Sequence, residues 1–185
     1  QGMFVSTLSL VIRNSYGEQI NIFGIAFGVT AISGIILGIR WVWEPFLAVK
    51  FGNLSDQGKS RIPLFISFLF IASIFLVMIP LNIPLLIWLV IVIAFMVSAT
   101  ALTTFNDTIT SDIANKTDTK TVMTYYVVFL DIGAALGPII AYTIIMLENG
   151  VLYIYILSSL LLICVAILWL IEPVCKITSF GKVRA

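Results

Sequence analysis

The sequence predicts an all-α membrane protein built from six spans. Three observations carry that prediction. The chain is 61% hydrophobic and only 10% charged, with a mean hydropathy of +1.14, whereas a soluble domain carries about a quarter charged residues. Its apolar residues fall in runs of roughly 20, the length a helix needs to cross a bilayer. The runs show no alternation of period two, and helices satisfy their own backbone hydrogen bonds in lipid, so the spans are helices and not barrel strands.

Taken in order, Met3 to Ile12 is apolar but short, and reads as the end of a first span whose start is missing. The chain begins at Gln1, already inside apolar sequence, as a piece of a longer protein would. A polar turn, Arg13 to Gln19, follows. The second span is read over Ile22 to Phe51, interrupted by Pro45, and the third over Ile62 to Ile79. Between them lies a polar hairpin, Gly52-Asn-Leu-Ser-Asp-Gln-Gly-Lys-Ser-Arg-Ile-Pro-Leu64. Pro80 and Pro84 punctuate the next turn. The fourth span is Leu85 to Phe105, and the mixed-charge stretch Asn106 to Lys120 reads as a connection. The fifth span is Val122 to Leu147, the turn Glu148-Asn-Gly150 follows, and the sixth is Val151 to Ile171. One membrane domain thus covers residues 1–173, with a cytoplasmic tail over 174–185.

Charge placement orients the set. Loops rich in Lys and Arg stay in the cytoplasm. With the hairpin inside, cytoplasmic segments hold Lys50, Lys59, Arg61, Lys116, Lys120, Lys176, Lys182 and Arg184, and the outer loops hold only Arg13. Both ends of the six-span set are then cytoplasmic, and the expected location is the plasma membrane.

Three ionisable residues fall within spans: Arg40, Glu44 and Asp131. At 1.5 Å per residue they lie roughly 16, 10 and 14 Å from the cytoplasmic ends of their helices. A charge at such depth costs about 2.5–3.5 kcal/mol on insertion scales, so each should face protein or a water-filled cavity. Arg40 and Glu44 are spaced i, i+4 and share a helix face. They form either a structural ion pair or part of a transport path. Asp131 has no opposite charge on its own helix. A lone buried carboxylate can take up a proton near neutral pH, which suits proton coupling; the plainer reading pairs it with a basic residue on another helix.

Small residues recur at four-residue spacing in Gly24-x-x-x-Gly28, Gly34-x-x-x-Gly38 and Gly133-Ala-Ala-Leu-Gly137-Pro138. Such strips let helix backbones approach closely, and they suit either ordinary packing or a rocking surface. Pro138 favours a kink. The absence of His excludes His-based relays and metal sites. Cys164 and Cys175 have no paired spacing and read as free thiols. No HExxH, GxSxG, paired carboxylates or P-loop is present, so neither an enzyme nor an ATP-driven pump is expected. No cofactor, metal or nucleic acid is implied.

The hairpin and the Gly-Pro helix together resemble the C-terminal half of a major facilitator superfamily transporter, which has twelve spans in two six-helix halves. That family's hairpin follows G-x-L-x-D-R-x-G-R-R-x-x-L. Gly52, Leu54, Asp56, Arg61 and Leu64 fall on it; Gln57 and Ser60 replace two of its Arg residues, Gly58 stands one place early and Lys59 occupies the usual Gly position. Asp131 to Pro138 resembles the fifth-helix segment of the second half, and Arg40, Trp41 and Glu44 resemble its drug-efflux members. The resemblance implies alternating access, with Asp56 as a conformational latch supported by Gly52, Gly58, Lys59 and Arg61. It implies a partner, the N-terminal six-helix half of the same transporter, which the second and fifth helices would face. It also makes the first and fourth helices the cavity lining, through Trp88, Phe95, Met96, Ser98, Thr100, Thr103 and Thr104. Beyond the bilayer, the other expected partners are a lipophilic small-molecule substrate and protons. The reading is proton-coupled efflux antiport; a nutrient-uptake symporter and a non-transporting six-span scaffold are the alternatives.

Overall fold

A computed structural model describes residues 2–22, 25–57 and 61–171. Six helices and one two-stranded hairpin make up these residues: α1 Gly2–Tyr16, β1 Gln19–Ile22, β2 Ile25–Gly28, α2 Val29–Gln57, α3 Arg61–Met78, α4 Leu85–Lys116, α5 Thr119–Ile145 and α6 Gly150–Ile171. Five of them, α2 to α6, are long and apolar enough to cross a membrane. The chain is a largely helical integral membrane protein. Helix α1, with 15 residues, reaches only about 22 Å.

Helix α4 is the centre. Half of its most apolar window is buried (50%), against 11% for α5. It packs on α2, α3 and α5, while α3 also lies along α6, and α1 lies against α5 and α2. One apolar cluster draws on all six helices around Leu8, Ile12, Trp88 and Val92. A second joins α3, α4 and α6 around Phe65, Leu69, Phe105 and Ala166. Small residues set the α3–α6 contact. The Ser73 and Ser159 hydroxyls meet at 2.9 Å beside buried Ala72, as expected where packing and hydrogen bonds hold helices together in lipid.

Element boundaries depart from the sequence reading in three places. The second span begins at Val29, not Ile22, because Gln19–Ile22 and Ile25–Gly28 pair as antiparallel strands with Ile20 opposite Phe27. Polar and apolar residues alternate over Gln19, Ile20, Asn21 and Ile22, and β-branched residues favour the extended chain. The same helix continues to Gln57, through Pro45, so Gly52 and Asp56 are helical residues and not part of an open hairpin. The polar connection expected over 106–120 is mostly helix as well. Phe105, Ile109 and Ile113 keep one apolar face at four-residue spacing, and that face packs into the second cluster. Only Thr117 and Asp118 separate α4 from α5. With 32 residues, α4 is about 48 Å long and outreaches a hydrocarbon core of about 30 Å.

The turn between α3 and α4 is clamped by aromatic residues. Trp88 is fully buried, and its indole N–H donates to the Ile79 carbonyl at 2.9 Å. The Tyr16 ring meets Trp88 edge-on at 5.7 Å. The Tyr16 hydroxyl donates to the Ile83 carbonyl, which ties the end of α1 to the same turn.

Candidate functional site

The ionisable residues of the spans occupy two separate places. On α2, Arg40 Nη2 donates to Glu44 Oε1 at 3.3 Å, the pair that their spacing predicts. Arg40 is buried at 8% exposure, while the Glu44 side chain is 26% exposed. Beside them the Trp43 indole N–H is buried without a partner among the described residues.

Asp131 lies elsewhere, on the exposed side of α5. Its neighbours Phe129, Ile132 and Leu136 are exposed too. Among the described residues it has no ion-pair partner, so the cross-helix pairing considered for it does not form. Helix α5 turns this face away from α1, α4 and α6.

The glycines divide. Gly137 is buried where α5 crosses the start of α1: a Cβ on it would come within 3.1 Å of the Met3 nitrogen and 3.2 Å of Met3 Cγ. Gly2 makes the reciprocal approach, 3.0 Å to the Ala134 carbonyl oxygen and 3.6 Å to Pro138 Cδ. Gly133, Gly34 and Gly38 have nothing within 4 Å of a built Cβ, so the close approach expected of them is not made inside this bundle. Gly28 ends a strand, so Gly24-x-x-x-Gly28 is not a helical strip; Gly24 lies outside the described residues. Helix α5 is unbroken through Pro138.

In the hairpin region, Gly58 and Lys59 lie outside the described residues, as does the tail. Arg61 begins α3, and its guanidinium pairs with the Asp112 carboxylate of α4. The residue expected to support a latch is thus engaged within its own bundle. A second cluster joins α4 to α5: the Tyr126 hydroxyl donates to Asp107, and the Asn106 amide donates to Tyr126 Oη at 3.2 Å. At the start of α5, Thr121 Oγ1 donates to Asp118 Oδ2 at 2.6 Å and holds that carboxyl below its ordinary value.

The fourth-helix residues that the resemblance makes a cavity lining are mostly core. Trp88, Phe95, Met96, Ser98 and Thr100 are all buried. The hydroxyls of Ser98, Thr100, Thr103 and Thr104 donate to carbonyls of their own helix. Cys164 is an exposed free thiol.

The sequence reading missed Asp107, Asp112 and Tyr126. Continuing the apolar spacing past Phe105 would have put all the polar residues up to Lys116 on a helix, in reach of α3 and α5. No family model matches this chain, and no curated protein or solved structure matches it either.

Proposed function

We propose that the chain is one six-helix half of a secondary active transporter of the major facilitator type, working by alternating access. In this reading it performs proton-coupled efflux of a lipophilic compound across the plasma membrane, with its Lys- and Arg-rich segments in the cytoplasm. The position of Asp131 is the observation that carries the proposal. A carboxylate at membrane depth needs protein or water beside it, yet Asp131 stands on the least covered span of the bundle. A second six-helix half laid against α2 and α5 would supply that surrounding and leave Asp131 at a central, hydrated interface where it can load and release a proton. The open Gly34 and Gly38 positions on α2 would face the same partner. Asp56, one position before the end of α2, keeps the latch role.

The test uses the complete protein in proteoliposomes with an imposed pH gradient and an environment-sensitive lipophilic dye as substrate. Asp131→Asn should abolish gradient-driven dye movement, while helicity and monodispersity stay those of the parent. Undiminished transport by that variant overturns the proton-coupling role.

A further inference from the structure

A half-open cavity of about 240 Å³ lies between α1, α3, α4, α5 and α6. Phe4 and Phe95 wall it, Gly133 and Gly137 border it on α5, and three hydroxyl side chains line it: Thr7 on α1, and Tyr155 and Ser158 on α6. Thr7 and Tyr155 are buried almost completely, at 1% and 2% exposure.

The hydrogen-bond polarity of these two groups is set. Thr7 Oγ1 donates to the Met3 carbonyl at 2.7 Å, and a hydroxyl has one proton to give. The 3.1 Å contact between Thr7 and Tyr155 is therefore donated by the Tyr155 phenol. Its own oxygen keeps lone-pair capacity and receives no donor among the described residues. An engineered apolar cavity of about 150 Å³ holds benzene, so this one has room for a larger ring system.

We infer that this cavity is a binding site for a small neutral lipophilic alcohol or phenol, its ring or chain against Phe4 and Phe95 and its hydroxyl donating to Tyr155 Oη. Gly133 is exposed and has nothing within 4 Å of a built Cβ, so a side chain placed there can occupy the rim without displacing a neighbour within these six helices.

The test labels the methionine methyls with carbon-13 and follows them by NMR in lipid nanodiscs. Met3 borders the cavity. Met146, 88% exposed, reports simple partition into lipid. The probes are 1-naphthol and naphthalene, which differ by the donor. Met3 should shift saturably with both, 1-naphthol binding about fivefold more tightly, the factor one ordinary hydrogen bond supplies. Tyr155→Phe should erase that factor and leave the naphthalene response. Gly133→Leu should remove the saturable response to both. Met3 and Met146 shifting in parallel, or a saturable response surviving Gly133→Leu, overturns the site. Equal affinity for the two probes, or a fivefold preference persisting in Tyr155→Phe, overturns the hydrogen-bonded class of ligand.

Discussion

Gly137 rests on the backbone of Met3, with 3.1 Å between a built Cβ and the Met3 nitrogen. Four residues earlier on the same helix, Gly133 has open space. The two therefore separate packing from helix propensity. Gly→Ala in a helix is worth about 1 kcal/mol of propensity at either site. Only at Gly137 does the added methyl meet backbone, and overpacking costs about 1–3 kcal/mol. Thermal unfolding in detergent should place Gly137→Ala below Gly133→Ala by about 1 kcal/mol or more. Equal stability of the two variants would mean that α1 slides freely over α5.

Trp88 holds a different junction. Its indole N–H satisfies the Ile79 carbonyl just past the end of α3, where a helix leaves carbonyls without internal partners. Trp88→Phe keeps an aromatic ring but removes the donor and part of the volume. The expected loss is about 1–3 kcal/mol for the stranded buried carbonyl, and Trp88→Ala should lose about 3–5 kcal/mol. Denaturant titration of the solubilised protein checks both values, and a Trp88→Phe variant as stable as the parent would show that the turn does not depend on this bond.

The cores of five spans were legible because about 20 consecutive apolar residues have few other fates. Their ends were not, and the reasons are local. Asn106 to Lys116 looked like a loop by composition, but Phe105, Ile109 and Ile113 hold that stretch to the bundle. The residues over 19–28 sat at the edge of an apolar run, where a short apolar stretch fits strand or helix equally well. The Arg40–Glu44 pair was readable because helix geometry alone brings i and i+4 together. Arg61 and Asp112 are 51 residues apart, and no spacing rule reaches that far. Which side of α5 stays uncovered is likewise decided by how α1, α4 and α6 pack, so the exposure of Asp131 could not be read from its neighbours in sequence.

The Arg61–Asp112 pair invites a measurement of its own, because it ties the start of α3 to the far end of α4. The Arg61 side chain is 27% exposed and that of Asp112 is 51% exposed. A pair so open to solvent gains little: its charges attract through water, and holding two long side chains in one geometry costs entropy. A double-mutant cycle with Arg61→Gln and Asp112→Asn should give a coupling energy of about 0.2–1 kcal/mol. The coupling should shrink as salt rises, since the Debye length falls from about 10 Å at 0.1 M to about 3 Å at 1 M. A salt-insensitive coupling above about 2 kcal/mol would indicate a desolvated pair, and with it a covering surface over this end of the bundle that the isolated six helices do not provide.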